Sequence, residues 1–128
     1  MKSYLEFSFY RLDDTPALIM DVVKDLSWQP NEVCIRGELQ KNNKPYEEDI
    51  VFYRTEEVVC KYIEEEIGDF LDKLLVIKSV LEKTMKFTGQ LAIVVYAEGQ
   101  SNPEIVMSPE CIVKLNKLNA CLWVDIYR

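Results

Sequence analysis

Carboxylates are the side chains best able to do chemistry in this sequence, and they gather in the stretch 56–73. Seven residues of this stretch are Asp or Glu, against two lysines. Carboxylates can transfer protons or attract a basic partner. Hydrolysis by two carboxylates needs a pair at a set separation, and no spacing here singles out a pair. The stretch therefore indicates a charged surface more than a catalytic centre.

The residue types that usually accompany catalysis are missing. Histidine is absent, which removes the commonest general base, the Ser/His and Cys/His nucleophile pairs and most zinc sites. The four cysteines form no C-x-x-C pair and are expected to be reduced, mostly buried thiols. The glycines are dispersed and form no phosphate-binding loop. We therefore predict no catalytic residue, no cofactor and no bound metal, in a protein that is not an enzyme.

The net charge restricts the classes of partner. The chain carries −7 at pH 7 and has a pI near 4.7. Nucleic acid and anionic membranes repel such a chain, whereas a basic protein attracts it. No apolar run approaches the ~20 residues of a membrane span, and the first residues lack the pattern of a signal peptide. These features predict a cytoplasmic protein that binds another protein, with neither nucleic acid nor membrane as partner.

The acidic stretch is predicted to form the longest helix of the chain. Its apolar residues share one arc from Thr55 onward, and the pattern drifts near Leu75, which predicts a kink and a second segment to about Phe87. At about 100° per residue, five carboxylates point away from the arc. They are Glu57, Glu64, Glu65, Asp69 and Asp72. This acidic helix face is a candidate docking surface for a basic protein, and a solvated face without a partner is the alternative.

Glu66 differs from its neighbours because the same stepping places it inside the apolar arc. A carboxylate at the border of the core can pair with a tyrosine hydroxyl or a lysine, or it can be a buried acid whose pKa is raised. The second interpretation leads to another class of function. It requires a pocket between the sheet and the C-terminal helix, lined by Glu66 or Asp125 together with a basic residue.

Residues 90–128 have the clearest local signals: a strand, a turn, a capped helix and a final strand. Thr88 and Gly89 are predicted to turn the chain into the first of these strands. Ser108 is a suitable N-cap because its hydroxyl can accept a hydrogen bond from a first-turn amide, and a proline follows at the first helical position. Asn119 can take the left-handed conformation that ends a helix.

Four short motifs in this unit carry a resemblance to a known family. They are Asn102-Pro103, Ser108-Pro109-Glu110, Leu118-Asn119 and Asp125-Ile126-Tyr127. The pattern resembles a family of small bacterial proteins of unknown function, and the similarity extends over the whole chain. The resemblance implies no established catalytic residue. Some small acidic proteins of this general kind are immunity partners of bacterial toxins. This is an analogy with a class of proteins.

Hydrophobic patterning predicts the order β-α-β-β-α-β, followed by an extra α-β. The first strand alternates around Phe7, a first helix is capped by Thr15 with Pro16 at its first position, and residues 33–53 form a hairpin with Gly37 as a candidate bulge. This order matches a two-layer, ferredoxin-like α+β fold, in which helices cover one face of a mainly antiparallel sheet. The length predicts one domain over residues 1–128.

Strand alternation predicts which side chains lie on the open face, the side of the sheet that the helices leave uncovered. With Phe7, Ile50 and Phe52 turned toward the helices, the open face is largely aromatic. The candidates there for partner binding or dimer formation are Tyr4, Tyr10, Arg36, Tyr53, Tyr96, Trp123, Asp125 and Tyr127. Tyr and Trp are enriched at binding hot spots, so we predict a protein interface, with a partner or with a second copy. The alternative is that tyrosines simply suit strands, or that the C-terminal segment covers this face.

These features favour a non-catalytic, acidic protein-binding module. Its specific form would be an immunity or inhibitor protein that neutralises a basic bacterial toxin. A small-molecule-binding protein, or a weak enzyme with a carboxylate-lined pocket, is the alternative function.

Overall fold

Within residues 2–59, 63–99 and 103–128, which the computed structural model describes, the fold is α+β, with three helices and a six-stranded, mostly antiparallel sheet. In chain order the elements are β1 (Lys2–Arg11), α1 (Ile19–Val23), β2 (Glu32–Cys34), β3 (Ile50–Arg54), β4 (Val58–Val59), α2 (Glu64–Leu81), β5 (Phe87–Tyr96), α3 (Pro109–Lys117) and β6 (Ala120–Tyr127).

β1 is the central strand of the sheet. It pairs antiparallel with β3 on one side and β5 on the other, and its first residues also pair with β4. β2 continues the sheet beyond β3, and β6 runs parallel to β5, which gives the order β2-β3-β1-β5-β6. α3 lies in the crossover connection that a parallel pair such as β5 and β6 requires. β6 therefore forms one edge of the sheet.

One apolar cluster fills the space between the sheet and the helices. Leu5, Phe7 and Phe9 alternate along β1 and are fully buried. The buried side chains of all three helices, such as Leu71 of α2 and Leu115 of α3, belong to the same cluster. The helices therefore cover the same face of the sheet, and the other face is the open one.

α2 begins later than the sequence predicts, and it continues without the predicted kink. The helix begins at Glu64 rather than Thr55, because the chain before it pairs with the start of β1 as strand β4. It then runs without interruption to Leu81, so the predicted kink near Leu75 and the second helical segment are wrong. The stripe of buried apolar residues continues to the end of the helix, which keeps one helix against the core.

α1 also begins later than predicted. Its first residue is Ile19, and Thr15 and Pro16 lie outside it. The guanidinium group of Arg11 donates a hydrogen bond to the carbonyl oxygen of Thr15 at 2.9 Å, so this segment binds to the end of β1 instead of starting the helix. A contact with a distant residue therefore outweighs the local capping signal.

The hairpin over residues 33–53 has a short first strand. β2 covers Glu32–Cys34 and pairs antiparallel with β3. Gly37 follows in a turn with φ of 90°, the left-handed region that favours glycine, so the predicted strand bulge at this residue is wrong. An isolated bridge between Leu39 and Pro45 extends the hairpin beyond the strand.

Tyr53 lies on the face opposite to the one predicted for it. Its partner across β1 is Phe7, and residues directly opposite in a sheet share a face, so Tyr53 points into the core with Val51. Its hydroxyl donates a hydrogen bond to the carbonyl oxygen of Trp28 at 2.7 Å, and its burial raises the pKa of the phenol. The alternation pattern predicted that Ile50 and Phe52 face the helices, but both residues belong to the open face. β3 is apolar on both sides, so its own sequence does not determine which of its residues face the core.

The C-terminal helix has the capping predicted for it. The hydroxyl of Ser108 accepts a hydrogen bond from the Cys111 amide at 3.2 Å, and Pro109 is the first helical residue. Asn119 has a φ of 50°, and β6 begins at the next residue. The preceding strand differs from the prediction, because Gly89 lies inside β5 instead of in a turn before it.

Candidate functional site

The acidic helix face is present on α2, although it is smaller than predicted. Glu65, Asp69 and Asp72 are exposed, and Glu64 is half-buried at the start of the helix. Glu57 lies in the segment between β3 and β4, so its predicted place on the helix is wrong. The later start of α2 is the reason for this difference.

Lys114 of α3 neutralises part of this face. Its ammonium group lies 2.8 Å from the Asp72 carboxylate, and this hydrogen bond raises the pKa of the lysine. The ion pair joins the exposed sides of α2 and α3. It also engages the one lysine, among the residues that the structure describes, that lines the groove between the starts of these two helices.

That groove, which we call the acidic groove, has a volume of about 480 Å³. Its carboxylates are Glu64 and Glu65 from α2 and Glu110 from the first turn of α3. Gly68 lines it as well, and the missing side chain there leaves room between the helices. These three carboxylates have no ion-pair partner among the described residues, so the described lining of the groove has more negative than positive side chains.

Glu66 lies at the border of the core, as its place in the apolar arc predicts. Its side chain is partly buried, and the loss of solvent raises the pKa of the carboxyl group. The described residues supply it with no ion pair. Neither Glu66 nor Asp125 lines the acidic groove or the clefts beside Arg11 and Tyr10.

An aromatic row crosses four strands on the open face. The guanidinium carbon of Arg54 lies 3.8 Å from the ring centre of Tyr4, whose ring centre is 6.4 Å from that of Tyr96. Tyr96 in turn stacks on Tyr127, with ring centres 5.4 Å apart and an angle of 25° between the rings. Arg54 was missed because the phase of β3 was assigned the wrong way, whereas the three tyrosines lie where alternation predicts.

Trp123 and Asp125 stand beside this row on β6. The indole N–H of Trp123 donates a hydrogen bond to the Asp125 carboxylate at 2.8 Å. Tyr10 lies at the opposite end of the open face, where its hydroxyl donates to the side-chain oxygen of Gln90 at 3.2 Å. All three have the orientation predicted for them.

Arg36 does not belong to the open face. It lies in the turn after β2, and its guanidinium group pairs with the Asp14 carboxylate at 2.8 Å in an exposed ion pair. With Tyr53 in the core, the predicted set loses two members. The remaining aromatic face and the acidic groove lie on opposite layers of the fold, so one flat partner surface cannot cover both.

A second cleft, of about 490 Å³, lies beside Arg11, a residue that the sequence did not single out. The Arg11 guanidinium donates to the carboxylates of Asp13 and Asp49 at 2.8 and 3.1 Å and to the carbonyl oxygens of Thr15 and Ala17. These bonds, with the backbone amide of Lys86, hold the pKa of Asp13 well below its ordinary value. Because the Arg11 guanidinium is paired with both carboxylates, the network anchors the loop after β1.

Two further features of the described residues bear on the class of protein. No group of three or more Cys, Asp or Glu side chains is gathered there in a way that could hold a metal ion. In the same part of the chain, no helix is both long and apolar enough to cross a membrane.

Comparison with known proteins places the chain in a family without assigning an activity. The model of a domain of unknown function, DUF4279, matches residues 1–128. No curated protein and no solved structure matches the chain. The resemblance to a family of unknown function is thereby confirmed, and no activity comes with it. The chain belongs to the DUF4279 family of domains of unknown function.

Proposed function

We propose that this chain is a non-catalytic protein-binding module for a basic protein partner. The observation that carries the proposal is the acidic groove, which Glu64, Glu65 and Glu110 line without an ion-pair partner among the described residues. A lysine or arginine of a partner that entered the groove would meet several carboxylates at once. Single exposed ion pairs contribute little, but a cluster of like charges steers association and favours partners of opposite charge.

The specific form of this function is an immunity or inhibitor protein that neutralises a basic bacterial toxin. The net charge of −7 supports it, because such a chain attracts a cationic protein over a distance that depends on salt. The described cysteines support a cytoplasmic location, where thiols stay reduced, because Cys34, Cys111 and Cys121 are all unpaired.

The architecture beneath the groove is best assigned to the ferredoxin-like class. The strand order β2-β3-β1-β5 and the antiparallel pairing of each neighbour in it support this assignment. β4 is then a small addition to the start of β1, and α3 with β6 extends the sheet at one edge. In this arrangement α2 presents its acidic start at the edge where the extra helix packs.

A direct test uses calorimetric titration of the purified chain with a basic toxin encoded beside its gene. Glu65→Lys together with Glu110→Lys should weaken binding about tenfold or more, which corresponds to about 1.4 kcal/mol. Glu38→Lys together with Glu47→Lys makes the same change in net charge on an exposed loop elsewhere and serves as the matched control. The affinity of the native chain should also fall as salt increases, because screening weakens charge steering.

Two outcomes would contradict the proposal. Binding that does not change between low and physiological ionic strength would exclude docking through the acidic groove. Equal weakening by the control pair, Glu38→Lys with Glu47→Lys, and by the groove variant would show that only net charge matters, and the groove would then have no role of its own.

A further inference from the structure

The outer edge of β6 exposes a run of large apolar side chains. Five of the eight residues of β6 are large apolar or aromatic side chains that remain between 41% and 55% exposed. They are Leu122, Trp123, Val124, Ile126 and Tyr127. The aliphatic members lie on the helix side of the sheet and the aromatic ones on the open side, so both faces of the strand are uncovered.

The described residues form no strand on the outer side of β6, so its backbone is unpaired by them along the same edge. The amide of Gly89 donates to the carbonyl oxygen of Asn119 at 3.0 Å, and the amide of Ala97 donates to that of Tyr127 at 2.8 Å. These bonds at the two ends of the ladder show that the odd-numbered residues of β6 turn their backbone groups toward β5. Because the direction alternates along a strand, the N–H and C=O groups of Leu122, Val124 and Ile126 point outward.

The two edge strands of the sheet differ in length and in charge. The opposite edge, β2, is only three residues long and includes the exposed carboxylate of Glu32. Short strands and edge charges are devices that prevent strands of different molecules from pairing. β6 has eight residues and contains neither lysine nor proline. Its one charged side chain is Asp125, whose carboxylate already accepts the Trp123 indole N–H.

We propose that β6 pairs antiparallel with β6 of a second copy of this chain, about a two-fold axis at Val124. The sheets of the two copies then become one continuous sheet, with their helices on the same side. A second copy fits this edge because the sequence of β6 is complementary to itself. Each copy carries a net charge of −7, and pairing through β6 brings almost no like charges of the two copies together.

The register follows from the faces and charges of β6. Residues opposite each other must share a face, so the axis passes through a residue and not between two. Only an axis at Val124 places all three aliphatic residues against one another, because Leu122 then lies opposite Ile126 of the second copy. The same axis puts Asp125 beside Trp123 of the second copy. An axis at Asp125 would place two carboxylates opposite each other, which destabilises a strand pair.

α3 adds apolar surface to the same edge. Ile112 is 56% exposed although it lies in the middle of an ordered helix. It stands about a quarter turn from the buried face of α3, on the side away from Lys114, which reaches α2. The side chain therefore extends toward the outer edge of β6, where a second copy would bury it.

This inference is independent of the proposed basic partner, because it uses another surface and has the opposite salt dependence. Association of two acidic chains should tighten as salt screens their repulsion, whereas docking of a basic partner should weaken. The first experiment is sedimentation equilibrium of the full chain over a dilution series. We expect the apparent mass to approach twice that of one chain as concentration and salt rise.

Val124→Lys should abolish this association, because it places two ammonium groups opposite each other at the axis. Val76→Lys makes the same substitution at an exposed valine of α2 and should dimerise like the native chain. Far-ultraviolet circular dichroism of both variants checks that they fold. A dimer that persists in Val124→Lys would overturn the proposal. A native chain that stays monomeric would also overturn it and leave an extended segment of another protein as the occupant of this edge.

Cysteine cross-linking tests the register. With the axis at Val124, the two copies of that residue form a hydrogen-bonded pair with Cα atoms about 5.5 Å apart, within the range of a disulfide. Val124→Cys should therefore form a disulfide-linked dimer under mild oxidation. In Leu122→Cys the two thiols lie four positions apart, about 13 Å along the strand, and should not cross-link above the level of the native chain. Cross-linking of Leu122→Cys in place of Val124→Cys would overturn the proposed axis.

Discussion

Gly89→Ala is the substitution whose effect follows most directly from the structure. Gly89 lies inside β5, opposite Phe9 of β1, and the ring of Phe7 lies over its backbone. A methyl group at this position would overlap the Cζ atom of that ring. It would also lie 3.0 Å from the ring's Cε1 atom and 3.2 Å from the Cβ atom of Ala120.

The size of the effect depends on how far the ring can move. Carbon atoms pack at about 3.5–4.0 Å, so the Phe7 ring must leave its present place. It is fully buried, and its centre lies only 4.7 Å from the centre of the Phe9 ring. Added methyl groups in a well-packed core cost about 1–3 kcal/mol, and we expect about 2 kcal/mol here.

Urea denaturation followed by circular dichroism, at one fixed protein concentration, measures this cost. Gly68→Ala is the matched control, because the one described contact of its new methyl group within 4 Å would be the Cys111 sulfur, at 3.9 Å. Since Gly68 lies inside α2, that variant should gain about 0.5–1 kcal/mol.

A double-mutant cycle with Phe7→Leu separates the clash from other effects of the substitution. Leucine removes the far end of the ring, so Gly89→Ala should cost less in that background, by about 1 kcal/mol. If Gly89→Ala leaves the native chain as stable as before, or costs the same with leucine at position 7, the close approach of the ring does not restrict this position.

Three other substitutions test contacts that support the fold. Ser108→Ala removes the N-cap of α3 and should lower the free energy of unfolding by about 1 kcal/mol in urea denaturation. Tyr53→Phe removes the hydrogen bond to the Trp28 carbonyl oxygen and should cost about 1–2 kcal/mol, with little change in the circular dichroism spectrum. The pKa of Asp13 is lower in the folded than in the unfolded chain, chiefly because of Arg11, so its stabilising effect is complete above about pH 5 and is lost as the pH falls. Asp13→Asn should therefore make the free energy of unfolding less dependent on pH in acid, and an unchanged pH profile would contradict this assignment.

The candidate surfaces could be predicted from the sequence only where a single element decides them. Tyr4, Tyr96 and Tyr127 lie on the open face because each belongs to a strand whose alternation was assigned in the right phase. The acidic groove needed two elements, since Glu110 joins the carboxylates of α2 only when α3 packs beside that helix. The pairing of Lys114 with Asp72 depends on the same packing.

Local chemistry explains what the sequence determined by itself. The cap at Ser108, the left-handed residue Asn119 and the strand that follows it depend on hydrogen bonds and steric limits within a few residues. The same holds for the alternation of β1, whose apolar face is unambiguous. These elements form as predicted because no distant contact opposes the local preference.

Tertiary structure decided those features that depend on pairing with a distant strand. Tyr53 lies in the core because β3 pairs with β1 in a register that puts it opposite Phe7, although β3 is apolar on both sides. Residues 58–59 form a strand instead of a helical turn because the start of β1 is there to pair with them. The exposed edge of β6 likewise follows from its place in the sheet, since its sequence alone resembles that of a buried strand. Strand partners are separated by tens of residues along the chain, so preferences that act over one turn or one pleat cannot select them.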